Sequence, residues 1–386
     1  MDGERSRSAC CAGEGALHFE ATERQDGYTL RRAATALVTW LGIAALLAAH
    51  AAKAEETVPS LPALAADISQ TSVSGISSGA YMAGQFQVAH ASVVVGAAII
   101  AGGPYGCAES AYADVMSGPG LALLNLSKAV NGCMLNALAL WGIPDVPRLV
   151  EKTKSLAEAG RIDPLSSLLG DRVYLFSGEN DRTVVPAIVE AAYAYYRGLG
   201  IPEENLAFVT DTPAGHAFVT DAGGLSCELT GKPFVVDCDY DQAGSVLQHI
   251  YGPMAARTAT PGGVFQEFDQ RPFAEGIANH GMARRGVVYI PPSCAGGTTC
   301  RVHIAYHGCT QNRAVAGDAF VRGSGYANWA DANALIILFP EVSASPVNPQ
   351  GCWDWWGYTS DDYLTRKAPQ IEIVYRMLEE LGKPRP

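Results

Sequence analysis

Apolar residues fall along this chain in two rhythms. Short β-prone runs alternate or stay apolar at Ile68 to Ser74, Arg172-Val-Tyr-Leu-Phe176, Leu206-Ala-Phe-Val209, Arg301-Val-His-Ile-Ala-Tyr306 and Leu335-Ile-Ile-Leu-Phe339. Runs of this kind, bounded by polar turn residues, predict half-buried or buried strands. Between them lie stretches of helical character: Ala80 to Ala91, a helix starting near Pro186, Ser245 to Tyr251, the amphipathic Tyr326 to Ala334, and a last helix from Pro369 to Leu381. Strands alternating with helices predict an α/β fold, a mostly parallel central sheet flanked by helices. Residues 104–168 and 217–285 do not fit this rhythm and are expected to be insertions, a cap and surface loops.

The N-terminal segment follows a different pattern. Arg31-Arg32 precedes seventeen uncharged, mostly apolar residues, Ala33 to Ala49, and then Ala52-Lys53-Ala54, an A-x-A-like cleavage signal. The apolar run is short for a membrane span. The expected organisation is therefore a leader over 1–54 with a signal peptide at about 31–54, a flexible segment over 55–67, and a single catalytic domain over 68–386. Export to the periplasm or medium is expected, with no membrane association after cleavage.

Composition narrows the partners. The formal charge is −12, and residues 1–54 hold six basic and six acidic side chains, so the rest of the chain carries all of it. Such a protein repels nucleic acid and anionic membranes, whereas a neutral substrate meets no such barrier. The sequence holds no phosphate loop, basic patch or fixed-period repeat, so neither a nucleic-acid partner nor a cofactor is expected. Beyond Cys10 and Cys11 there are eight cysteines: Cys107, Cys133, Cys227, Cys238, Cys294, Cys300, Cys309 and Cys352. An even set in an exported chain suggests disulfides. Local pairing would join Cys227 to Cys238 and Cys294 to Cys300, leaving Cys107 with Cys133 and Cys309 with Cys352. No C-x-x-C pair supports a metal site.

The chemistry starts at Gly75-Ile76-Ser77-Ser78-Gly79, a G-x-S-x-G between a predicted strand and a predicted helix. A serine hydroxyl is a weak nucleophile until a base takes its proton, and this turn exposes it where only small neighbours fit. In α/β-hydrolases the acid and the histidine follow in that order. Asp181 lies in the polar loop after the Arg172–Phe176 strand, and His216 in a Gly-flanked loop after Leu206–Val209. Glu179, Asp171, Asp211 and Asp221 compete for the acid role. Among the histidines, His280 is the best alternative base. His18 and His50 precede the expected mature start, His90 and His249 sit on helical stretches, and His303 lies within a strand.

An oxyanion hole needs two backbone N–H groups aimed at the developing charge. One is expected from Ser78. The other usually comes from a loop that precedes the serine, yet the only suitable turn is His307-Gly308-Cys309, far downstream. The strand and helices that would lead into a nucleophile strand also lie at the C-terminal end. A circular permutation of the α/β-hydrolase fold accounts for this order.

Five stretches together resemble the poly(3-hydroxybutyrate) depolymerases of the circularly permuted, single-domain type: Ser74 to Met82, Gly178 to Asp181, Gly215-His216, Tyr306 to Gln311, and Asn348-Pro-Gln-Gly-Cys-Trp-Asp-Trp-Trp-Gly-Tyr358. They extend from about residue 68 to the C-terminus. The resemblance implies a triad of Ser77, Asp181 and His216, oxyanion N–H groups from Ser78 and Cys309, and a polymer groove bordered by Trp353, Trp355 and Trp356. It implies no cofactor or metal, a polyester polymer or oligomer as substrate, and a monomer. Many secreted depolymerases carry a linker and a separate polymer-binding domain; none is expected here. If the tryptophan segment is extended, Trp353 and Trp355 share one face and Trp356 takes the other. A general secreted carboxylesterase, feruloyl-esterase-like, shares the same catalytic signals, and a non-catalytic binding protein would lack one of them.

Overall fold

The computed structural model describes residues 57–110 and 122–385. The leader expected over 1–54, with His18, His50, Cys10 and Cys11, lies outside the described residues. Strands β1 (Asp67–Ile76), β2 (Val94–Ile100), β3 (Arg172–Phe176), β4 (Leu206–Val209), β8 (Val264–Asp269), β9 (Arg285–Ile290), β10 (Arg301–Tyr306) and β11 (Leu335–Phe339) form one eight-stranded sheet. Its order is β4-β3-β2-β1-β10-β11-β9-β8. Every pairing is parallel except those of β9, which runs antiparallel to both β11 and β8. A small three-stranded sheet combines β5 (Phe218–Thr220), β6 (Leu225–Ser226) and β7 (Val235–Asp237) in the order β5-β7-β6. Val58 to Pro386 gathers into one compact unit.

The central strands are buried on both faces, which explains their near-continuous apolar sequence. Val73, Val173, Leu175, Val302, Ile304 and Leu335 to Leu338 have no solvent exposure. The helix Ser78–Ala89 packs on β1, β2 and β10, and Pro369–Gly382 packs on β1 and on that helix. Gln242–Tyr251 covers β2 and β3, and Tyr326–Ala332 covers β11.

The permutation is visible at the chain ends. The Leu64 and Ala66 N–H groups donate to the Leu381 carbonyl at 3.1 and 2.9 Å, and Ala65 N–H to that of Lys383 at 2.9 Å. The last helix thus finishes against the lead-in to β1. Joining those ends and opening the chain ahead of β8 would number the strands sequentially across the sheet, with only β10 and β11 exchanging places.

Two strands of the main sheet were missed in the hydrophobic rhythm. β2 follows its helix with almost no polar break, and Gly96, Ala97 and Ala98 dilute its β-branched character. β9 holds the clear β-prone run Val287-Val288-Tyr289-Ile290 but begins at the border of the supposed insertion 217–285, and β8 and the helix Gln242–Tyr251 lie within that stretch yet join the main sheet and its covering layer. The cysteines form four disulfides: Cys227–Cys238 and Cys294–Cys300, as local pairing suggests, and Cys107–Cys133 and Cys309–Cys352 from the four that remain. Four disulfides belong to an oxidising compartment. Among the described residues no helix is long and apolar enough to cross a membrane.

Candidate active site

Ser77 ends β1 and opens the helix Ser78–Ala89, with φ 57° and ψ −123°, a strained conformation for a residue with a Cβ. The flanking glycines are steric necessities. A Cβ on Gly75 would sit 2.1 Å from the Gly79 carbonyl oxygen, and one on Gly79 would sit 2.3 Å from that of Tyr306. The turn therefore closes on itself and presses against the end of β10.

Asp181 follows β3 and is completely buried. Its Oδ1 accepts the Thr183 and Val184 N–H groups at 2.8 and 2.9 Å, and its Oδ2 lies 2.8 Å from His216 Nδ1. A carboxylate on Nδ1–H leaves Nε2 as the basic nitrogen. The backbone of the histidine is also held. His216 N–H donates to Thr230 Oγ1 at 2.8 Å, and Gly215 N–H donates to the Cys227 carbonyl at 2.9 Å.

The competing groups are engaged elsewhere. Glu179 and Asp211 are exposed, and Asp221 pairs with Arg257 at 2.6 Å. Asp171 is buried and accepts from Gln87 at 2.7 Å, with burial raising its pKa to about 7. His303 sits between Ser72 Oγ and Ser74 Oγ, at 2.6 and 2.8 Å, and burial lowers its pKa to about 3. His90 stacks on Tyr375, His249 meets the Asn205 carbonyl, and His280 accepts the Met282 N–H.

Ser77 and His216 border one cavity of about 10 Å³, together with Ile76, Phe234, Gly308, Cys309 and Gln311. No hydrogen bond joins the Ser77 hydroxyl to His216, so the expected continuous Ser–His–Asp chain is complete only on its Asp–His side. Such contacts often tighten only when substrate is bound.

The register of β1 on β10 supplies the other half. Ser74 pairs with Ala305 and Gly75 with Tyr306, which sets His307-Gly308-Cys309 beside Ser77. Gly308 N–H is taken by Gln311 Oε1 at 2.8 Å, Thr310 N–H by the Gln350 carbonyl at 2.7 Å, and Cys309 is tied to Cys352. Among the described residues neither the Ser78 N–H nor the Cys309 N–H meets an acceptor, the arrangement an oxyanion requires.

Behind this turn lies a buried polar pair. His307 Nδ1 faces the Gly308 carbonyl at 2.7 Å, and its Nε2 lies 3.7 Å from Glu341 Oε2. Burial lowers the His307 pKa to about 4 and raises that of Glu341 to about 8, against the opposing pull of the Arg313 N–H and guanidinium. A carboxyl with a raised folded pKa contributes stability that is full below its ordinary value near 4.5 and is lost as pH rises towards 8. Glu341→Gln should therefore flatten the decline of melting temperature between pH 5 and pH 8. Parallel wild-type and variant curves across that range would refute the assignment.

The tryptophans depart from expectation. The segment is not extended: the Asp354 carboxylate gathers the N–H groups of Gly357, Tyr358 and Thr359 and the Thr359 hydroxyl. All three indoles are buried. Trp353 meets Tyr306 edge-on at 4.9 Å, Trp355 stacks on Tyr81 at 4.6 Å, and Trp356 meets Trp355 edge-on at 5.6 Å. The last two join an apolar cluster with Cys107, Cys133 and Cys352. Among the described residues none of the three presents an exposed face, because the loop folds around Asp354 and is tied down by a disulfide. Trp353 instead reaches Ser78 through its backbone, its N–H donating to Ser78 Oγ at 3.3 Å.

Phe234, Gln311 and Thr230 were missed. Gln311 could have been noticed as the last residue of the H-G-C-T-Q turn. Phe234 and Thr230 carry no local signal, since they reach the site only through the Cys227–Cys238 loop. Among the described residues no group of three His, Cys, Asp or Glu side chains could hold a metal ion.

No family model matches the sequence. The chain is 40% identical over 327 residues to a poly(3-hydroxybutyrate) depolymerase of Delftia acidovorans, covering 83% of this chain and 61% of that protein, so it spans about three fifths of that relative. It is 35% identical over 333 residues to a polyhydroxybutyrate depolymerase of Talaromyces funiculosus, covering 82% of this chain and 90% of that protein. A PHB depolymerase in which a serine is replaced by alanine, complexed with an R3HB trimer, superposes with a TM-score of 0.74 at 32% identity, over 84% of this chain and 98% of that one. The PHB depolymerase of Penicillium funiculosum gives 0.72 at the same identity and coverage. With its permuted sheet, its serine turn and these likenesses over most of its length, the chain belongs to the poly(3-hydroxybutyrate) depolymerase family of ester hydrolases.

Proposed function

We propose that this chain is an exported serine esterase that cleaves poly(3-hydroxybutyrate) or related short-chain polyhydroxyalkanoates, or their oligomers, and works as a monomer. The observation that carries this reading is the meeting of His216, already paired with Asp181, and the free Cys309 N–H at a small cavity that Ser77 also borders. Ser77 Oγ attacks the ester carbonyl while His216 Nε2 takes its proton, and Asp181 stabilises the imidazolium. The Ser78 and Cys309 N–H groups receive the developing oxyanion. Collapse expels the alcohol end of the chain, which takes the proton from His216. Water then enters, is deprotonated by the same nitrogen, and releases the hydroxyacid end from the acyl-enzyme. No cofactor enters any step. The four disulfides and the apolar leader both support export.

Clearing of an amorphous poly(3-hydroxybutyrate) suspension, run beside hydrolysis of p-nitrophenyl acetate, tests the substrate. Both activities are expected. Brisk acetate hydrolysis with no clearing would replace the depolymerase reading with that of a general carboxylesterase.

A further inference from the structure

The cavity beside Ser77, at about 10 Å³, has space for about one water molecule. A hydroxyacid unit is far larger, so it meets the residues that border this space. Ile76 and Ser77 belong to β1 and its turn, and Gly308, Cys309 and Gln311 to the turn after β10. Apart from His216, the remaining border is Phe234, a bulky residue carried by the loop that the Cys227–Cys238 disulfide closes. Its backbone is left-handed, with φ 59°, an outlier for such a residue and one that persists only where its surroundings enforce it.

The enforcement is visible. The Phe234 N–H donates to the Gly231 carbonyl at 2.6 Å, and its own carbonyl accepts from the Phe218 N–H and from Gln311 Nε2, both at 2.9 Å. Gln311 is almost fully buried, and its Oε1 holds the Gly308 N–H at 2.8 Å. One amide thus fastens Phe234 to the oxyanion turn. The same loop supports the base through Thr230. Strain, pinning and position all converge on a residue that sequence reading did not mark.

We propose that Phe234 is a specificity-determining residue that limits how long an alkyl chain the acyl unit can carry, and that Gln311 is the positioning residue that holds it there. The inference rests on the serine-esterase reading above. A substrate unit bearing a methyl branch needs only a small displacement of this wall, whereas a longer alkyl branch meets the ring. A hydrophobic wall discriminates by roughly 10- to 200-fold per methylene at most, so a chain-length series resolves its effect.

The test compares kcat/KM on p-nitrophenyl acetate, butyrate and octanoate for the wild type, Phe234→Gly and Phe234→Leu. Glycine suits the left-handed backbone, and leucine keeps the test open should the glycine variant not fold. The octanoate-to-acetate ratio is expected to rise at least about tenfold for Phe234→Gly and by less for Phe234→Leu. Gln311→Met, which removes the side-chain hydrogen bonds to Gly308, Pro233 and Phe234, should raise the ratio too while lowering kcat on acetate. An unchanged ratio in both Phe234 variants, or an equal loss on all three esters, overturns the proposal. Absence of acetate turnover in the wild type would instead overturn the esterase reading.

Discussion

Ser77→Ala should lower kcat/KM on any ester by at least about ten-thousand-fold, because it removes the atom that forms the acyl-enzyme. The melting temperature should stay within a degree or two, since the side chain carries no buried hydrogen bond that the fold depends on. Residual turnover of a few percent would remove Ser77 from the mechanism. Two companions separate the acid from its rivals. Asp181→Asn places an amide beside His216 Nδ1 and favours the wrong tautomer, so a loss of about ten-thousand-fold is expected. Glu179→Gln, at an exposed position, should change kcat/KM less than about threefold. A larger loss from Glu179→Gln than from Asp181→Asn would exchange their roles.

A large effect on stability is expected at Gly79. A methyl group there would lie 2.3 Å from the Tyr306 carbonyl oxygen and 2.5 Å from that of His307. Both are backbone atoms at the end of β10, so neither can swing aside as a flexible side chain could. Gly79→Ala should therefore cost at least about 3 kcal/mol, at the upper end of overpacking effects, and should push the turn away from Cys309. Urea unfolding gives the first quantity and the activity of the surviving folded fraction the second. A midpoint shift corresponding to less than about 1 kcal/mol would mean that the turn and the strand end are loosely fitted.

The parts that could be read from sequence are those built locally. The turn around Ser77 needs two glycines at fixed spacing, and that spacing survives in a linear string. Asp181 and His216 each follow a short strand and sit in loops whose composition marks them. The permutation was legible because a missing piece, the oxyanion turn, reappeared after the histidine. Phe234 was invisible for the opposite reason. It belongs to the cavity only because a disulfide and a glutamine 77 positions away fold its loop across the site. The tryptophans were misjudged because their exposure depends on the Asp354 carboxylate bending the chain, an effect that composition does not carry. β2 escaped because it follows its helix with almost no polar break and because Gly96, Ala97 and Ala98 dilute its β-branched character.

The placement of β1 between β2 and β10 has a consequence for biogenesis. Its neighbour on one side follows within a short helix, while the neighbour that completes the site lies more than two hundred residues on: Ser74 and His303 touch across a separation of 229. Contacts that distant in sequence make folding slow, because much of the chain must be ordered before they form. The strand that ends at Ser77 therefore waits with one edge unpaired while the intervening polypeptide is made, a template for wrong partners. The Cys309 N–H arrives only with the turn after β10, so a chain not yet extended that far holds its serine turn without that second donor.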